Sequence, residues 1–471
     1  MSPSRKRKRN SQPSTGAAGP VAKPPKPATG LSALPDELLV NVLNNFLGPP
    51  SAKGDKHELL SLCLTSRQFY ILAKPYLYNG IDNHLWDEGK ILDTLTLNPQ
   101  LASEIKHLSF HDHDLGLSQK RVEKLYIIIS QTQRIMLCKK AEELGFVHLQ
   151  TFKIALDTPN QNFHLAALLL LASGIQSLDI YVNYFRTYDR DSDGIPLIYF
   201  RILSEACFNK SPLVAQHFQH LHTIQIKINE VHNREIGPIL GIKSLRTLSL
   251  KTDLHLYKEP IRHVDSRPRS SPLEHLSIQG YRCNQIAAAE IIHEIKNLRS
   301  LKLRSTMTED GEGSLTLMKA VLEHKDSLEK LSIDHYRVMR NPAYTPFPCL
   351  HDLRKTRDLA VGLDYFMKVG TMDEDHFRWA QKLPRGLTRL LPHLGQTDKV
   401  FWKLLLESLI MECKENLLDL KEFAVSGWRD GTDVLIPSVR EMVESVGVKM
   451  VVVIRPRTWD MKPHEPLVFL S

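Results

Sequence analysis

One six-residue pattern constrains this chain more than anything else in it. The template L-x-x-L-x-L, with other aliphatics or Phe at its apolar positions, occurs as IKHLSF from residue 105, LQTFKI from 149, IQSLDI from 175 and LHTIQI from 221. It continues as LRTLSL from 245, LEHLSI from 273, LRSLKL from 298 and LEKLSI from 328. Weaker echoes are LTRLLP from 387, LLDLKEF from 417 and VKMVVV from 448. The last three positions of the template alternate apolar, polar, apolar. Two aliphatics therefore face one side of a short strand, and the first leucine packs where the strand begins. Between the strands lie segments of helical periodicity, such as QIAAAEIIHEI at 285–295 and LTLMKAVLEH at 315–324, the second with Ser314 as its cap. Strand and helix alternating at short steps predict a parallel sheet with helices on its other face. Each unit buries its leucines against its neighbours, which makes a solenoid.

The steps of 26, 24, 28 and 25 residues lie in the range of roughly 20–29 residues typical of leucine-rich repeats, which this array resembles. Two longer steps, of 44 and 46 residues, leave room for a further strand or for a long helical insertion. The Asn usual after the last leucine of such repeats is replaced in most copies, for example by Lys251 or Gln279, so the array is expected to be irregular. The expected fold is α/β: a three-helix module at the N-terminus, then a leucine-rich-repeat-like solenoid with its sheet on the concave face and helices outside.

The N-terminal module is read from Leu31 to Ile81. Leu38, Leu39, Val42, Leu43 and Phe46 recur at helical spacing after the cap Ser32, and Gly48, Pro49 and Pro50 end that helix. Leu59, Leu60, Leu62 and Leu64 make a second apolar set. Ser66 caps a third helix carrying Phe69, Tyr70, Leu72 and Ala73, with Pro75 expected to stop it. The spacing Leu34-Pro35-x-Glu37-Leu38-Leu39-x-x-Val42-Leu43, followed by Leu62-x-Leu64-x-Ser66-Arg67-x-Phe69-Tyr70-x-Leu72-Ala73, resembles an F-box. The ending Pro75-Tyr76-Leu77-Tyr78 is similar to fungal members of that family. The resemblance implies docking on the Skp adaptor, and through it on cullin, in an SCF-type ubiquitin ligase. It assigns Leu34, Pro35, Leu38, Leu39, Val42, Leu43, Leu62 and Leu64 to that docking surface.

Charge and cysteines narrow the classes further. Seven of the eight net positive charges sit in residues 1–30 (Arg5, Lys6, Arg7, Lys8, Arg9, Lys23 and Lys26, with no acid), so the rest of the chain is nearly neutral. A basic balance confined to a tail does not argue for a nucleic-acid-binding body. That tail is rich in Ser, Pro, Gly and Ala and is expected to be disordered. Its Arg5-Lys6-Arg7-Lys8-Arg9 run is a candidate nuclear import signal. Six cysteines with no C-x-x-C spacing give neither a zinc site nor a disulfide framework. The longest apolar run, AALLLLA at 166–172, is far short of a membrane span, and the charged N-terminus has no apolar signal core. An intracellular chain in nucleus, cytoplasm or both is expected. The domain reading is a basic tail over 1–30, the helical module over 31–82, the array over 83–340, an insertion or irregular segment over 341–385, and further repeats with a closing strand over 386–471.

Catalytic and metal signatures are weak. Asp189, Asp191, Asp193 and Gly194 have the alternate spacing of a calcium loop, but Phe200 stands where the bidentate Glu belongs. His111-Asp112-His113-Asp114 lies on a strand end with its side chains on opposite faces. No GxGxxG, P-loop, G-x-S-x-G or HExxH occurs, so no enzyme activity, metal or cofactor is expected. The polar column of the repeat strands, including Thr151 and Lys153, is the candidate partner-binding face. On it Lys227, Lys251, Lys302 and Arg304 form a basic stripe suited to an acidic or phosphorylated partner segment. Ser270 and Ser271 in RSSP are candidate phosphorylation sites beside it. By resemblance the expected function is a non-catalytic substrate adaptor of an SCF-type ligase. The alternative is a leucine-rich-repeat scaffold acting outside any ligase.

Overall fold

The computed structural model describes residues 34–46, 55–82, 88–111, 130–157, 161–182, 198–207, 211–257, 269–305, 311–335, 349–362, 381–393, 417, 419–427, 436–454 and 469–470. The chain forms two compact units, Met1–Lys74 and Pro75–Ser471.

The first unit is helical: α1 (Asp36–Phe46), α2 (Asp55–Thr65) and most of α3 (Arg67–Asn79). Leu39, Leu43, Leu59, Cys63, Phe69 and Ala73 are its buried residues, drawn from all three helices. Ser66 caps α3 as expected, its Oγ accepting the Phe69 amide at 3.2 Å. Pro75 does not stop α3, which runs on to Asn79. Pro75 is exposed, so solvent can satisfy the carbonyl that a proline leaves without a donor.

The second unit is one sheet in which the strands stand in chain order. They are β1 (Gly80–Asp82), β2 (His107–His111), β3 (Ser177–Val182), β4 (Thr223–His232), β5 (Thr247–Tyr257), β6 (His275–Cys283) and β7 (Ser300–Ser305), then β8 (Lys330–His335), β9 (Asp358–Gly362), β10 (Arg389–His393), β11 (Glu422–Gly427) and β12 (Lys449–Ile454). All of these pair in parallel. A short β13 (Phe469–Leu470) then lies antiparallel on β12 and covers its edge. Sequential parallel strands require crossovers, and among the described residues helices lie in several of them: α4 (Glu88–Leu97), α5 (Pro99–Ser103), α6 (Gln131–Glu143), α7 (Leu149–Asp157) and α8 (Gln161–Leu171) between β1 and β3. Then come α9 (Ile198–Cys207), α10 (Pro212–His217), α11 (Asn233–Leu240), α12 (Gln285–His293), α13 (Gly311–Leu322) and α14 (Ile436–Ser445). This is the expected leucine-rich-repeat-like α/β array.

Register shows why the template works. Leu108, Leu178, Ile224, Leu248, Leu276, Leu301, Leu331, Leu359 and Leu390 are successive partners across the sheet, and all are buried in one continuous core with the helices. Each such side chain contributes about 1.5–3 kcal/mol on burial. The backbone before each strand repeats too. The Lys106 carbonyl accepts the amides of Gln176 and Ser177 at 2.7 and 2.9 Å, and the His222 carbonyl accepts those of Arg246 and Thr247, both at 2.9 Å. The Arg357 carbonyl does the same for Thr388 and Arg389.

Three expectations need correction. LQTFKI from 149 is not a strand but helix α7. Phe152 and Leu156 are its buried residues, four apart, so the period is helical, and both long steps hold helical insertions. The sheet also runs through the stretch read as an insertion, because β9 lies inside 341–385. Ser314 lies within α13 rather than capping it, and its Oγ donates to Gln285 Oε1 at 2.9 Å. The basic run Arg5–Arg9 and the calcium-like loop 189–194 lie outside the described residues.

Candidate functional site

In the helical unit the motif leucines separate into two sets. Leu39 and Leu43 are fully buried and hold the module together. Leu34, Val42 and Leu62 are half-buried, while Pro35, Leu38 and Leu64 are exposed, Leu64 at 81%. Leu60, Tyr70 and Ile71 are also exposed, although the resemblance did not assign them to the docking surface. The α1 end of the module is fixed to α3 by Gln68 Nε2, which donates to Asp36 Oδ1 at 2.8 Å. Burial pushes the Cys63 thiol up, so it serves as a packing group rather than a nucleophile.

The second candidate is the sheet face that carries the strands' polar residues. One row across it runs Ser109, Asp179, Gln225, Ser249, Ser277, Lys302, Ser332. The next row runs His111, Tyr181, Lys227, Lys251, Gln279, Arg304, Asp334. The four cations of the expected stripe therefore do share one face. Lys227 and Lys251 are direct register partners, and Lys302 and Arg304 follow on β7. Tyr181 stands beside the stripe on the same face: Lys227 Nζ lies 4.3 Å from the centroid of its ring, and that ring stands 5.6 Å from the His111 imidazole. Thr151 and Lys153 leave the face, being on α7, where Thr151 Oγ1 accepts from Arg201 and Lys153 pairs with Glu142 at 3.1 Å.

The character of this face changes along the sheet. Ser332 is followed in register by Ala360 and Leu391, and further on Ala424 faces Val451. Ala424 is 0% and Val451 6% exposed in a small cluster separate from the main core, so the face is closed at β11–β12. Over β4–β7 none of the outward positions whose burial is described is buried.

Other singled-out groups are structural. His111 Nε2 lies 2.9 Å from Ser109 Oγ, and among the described residues no group of three or more His, Cys, Asp or Glu could hold a metal ion. Ser271 is buried, with its backbone bridged to Ile295, whereas Ser270 is exposed. Among the described residues no helix is long and apolar enough to cross a membrane. No protein-family model matches the chain, and no curated protein matches it. The class that the fold itself defines is a repeat-type parallel α/β array, the architecture of a protein-interaction scaffold.

Proposed function

We propose that this chain is a substrate-recognition adaptor of an SCF-type cullin–RING ubiquitin ligase, in which residues 31–82 dock on the Skp adaptor and the repeat array holds the target. The observation that carries the reading is the division of the motif leucines in the helical unit. Leu39 and Leu43 are spent on the module's own core, while Leu38 at 49% and Leu64 at 81% exposure are left on its outside. Large aliphatics left exposed on so small a module support an interaction role for it. Such an adaptor acts by proximity. A tethered target lysine meets the charged conjugating enzyme at raised local concentration, so the chain supplies no catalytic residue, metal or cofactor of its own.

The test is co-purification of a Skp adaptor with the wild-type chain and with a Leu38→Ala, Leu64→Ala variant. Both substitutions are at exposed positions, so circular dichroism should be unchanged. Stoichiometric capture by the wild type and its loss in the variant are expected. Capture by neither chain refutes the docking role and leaves a scaffold acting outside any ligase, while equal capture by both refutes docking through Leu38 and Leu64.

A further inference from the structure

The outward positions of β4–β7 form a field with an unusual composition. Its three rows hold twelve residues: Thr223, Gln225 and Lys227 on β4, Thr247, Ser249 and Lys251 on β5, His275, Ser277 and Gln279 on β6, and Ser300, Lys302 and Arg304 on β7. Four are cations, none is a carboxylate, and the rest other than His275 are small or amide side chains able to hydrogen-bond. Strands stand about 4.8 Å apart, so the direct partners Lys227 and Lys251 place like charges side by side, an arrangement that costs stability. Among the described residues, acids border the field: Asp179 on β3 accepts from Gln225 at 3.3 Å, Asp334 on β8 is the register partner of Arg304, and the β4 and β5 sequences carry Glu230 and Asp253 beyond the three rows. None of the twelve is buried, and His275 and Lys302 are exposed, in contrast to the closed face at β11–β12.

We propose that this field binds an extended acidic segment of a partner protein, its Asp and Glu carboxylates taken by Lys251, Lys302 and Arg304 and by Lys227 braced on Tyr181. The serines, threonines and glutamines between the cations supply hydrogen bonds to the segment's backbone and carboxylates. A nucleic-acid strand fits less well. Single strands are held by aromatic platforms, the twelve positions contain no Phe, Tyr or Trp, and the neighbouring Tyr181 ring is covered by Lys227. The proposal rests on the array being an interaction scaffold but not on the docking of the helical module, so its failure leaves Skp capture untouched.

The test uses the full chain and a fluorescent poly-glutamate peptide of roughly ten residues, which in extended form spans the four strands. Binding is measured by anisotropy at low and at physiological salt. The comparison set is Lys251→Glu with Lys302→Glu, the same pair changed to Gln, Lys319→Glu with Lys325→Glu on the helical side, and Lys6→Glu with Lys8→Glu in the tail. Salt-sensitive binding should weaken roughly tenfold per reversed face residue, less for the Gln pair, and little for the helical-side and tail variants. The Gln pair decides the matter if the Glu pair does not fold. Absence of peptide binding, a loss that follows only the tail or helical-side charges, or tighter binding of a uridine oligonucleotide of equal length each overturns the proposal.

Discussion

Thr356 Oγ1 donates a hydrogen bond of 2.8 Å to the carbonyl of Leu328, from a side chain that is 0% exposed. It occupies the place that leucine holds in neighbouring repeats, three residues before the inward Leu359. Its methyl group fills part of the leucine's space and its hydroxyl ties two repeats together. Ser244 and Ser327 make equivalent ties, donating to the carbonyls of Leu221 at 2.8 Å and Leu298 at 2.9 Å. Replacing Thr356 with Val keeps the volume and removes the bond. A loss of about 1 kcal/mol is expected, read as a lower urea midpoint at unchanged m-value.

Glu205 is 1% exposed and spans two helical insertions. Its Oε2 accepts the Val147 amide at 3.0 Å and its Oε1 the His148 amide at 3.1 Å, just ahead of α7. These are charge-assisted bonds to donors that a helix start leaves without partners. Glu205→Ala is expected to cost about 2–4 kcal/mol and Glu205→Gln less. Hydrogen exchange should show the Val147 and His148 amides losing protection first in the Ala variant.

Two glycines separate strain that can be relieved from strain that cannot. A Cβ on Gly280 would sit 2.4 Å from Thr252 Oγ1, an atom of a buried side chain. A Cβ on Gly174 would sit at the same distance from the backbone oxygen of Ser103. Each Gly→Ala change should destabilise by about 1–3 kcal/mol. Adding Thr252→Ala should restore much of the loss for Gly280→Ala, and no single side-chain truncation should rescue Gly174→Ala. Thermal melts of the single and double variants measure both.

Histidines 217 and 324 are buried, and desolvation holds both below the ordinary value of 6.5, against the opposing effect of bonds to the carbonyls of Leu169 and Ile292. Lys140 lowers His217 further. Near His324, Arg269 and His293 lower and Glu323 raises. Below pH 6.5 the unfolded chain therefore takes up protons that the folded chain refuses. Their contribution to stability is complete above that pH and is lost as pH falls through the depressed folded values. The unfolding midpoint should drop on acidification below 6.5, and a His217→Gln, His324→Gln variant should show a flatter profile.

Much of the array was legible because a strand buried on one face prints its period on the sequence. β2 through β8, and β10 through β12, follow from the template. β9 was hidden by Thr356 in a leucine's place, and β1 by its three-residue length, with Tyr78 packed on the core three residues before Ile81. LQTFKI misled because a six-residue apolar pattern fits a strand or a helix equally. In the fold its helical face, Phe152 and Leu156, is buried, and the carboxylate of Glu205, more than fifty positions away, accepts the amides just before α7.

The candidate face divides in the same way. Alternation along each strand placed Lys227, Lys251, Lys302 and Arg304 on one side, because the side-chain direction of a strand is local. Which of them stand next to each other depends on register between strands tens of residues apart, as does the bracing of Lys227 on Tyr181. The closing of that face over Ala424 and Val451 likewise belongs to the assembled sheet. By itself the sequence determined the strand–helix alternation, the inward leucines and the helical module, since periodicity and caps act within a few residues. Only the tertiary structure decided the continuity of the sheet, the assignment of α7 and the neighbourhood of the four cations on β4–β7, since these depend on contacts that chain order does not contain.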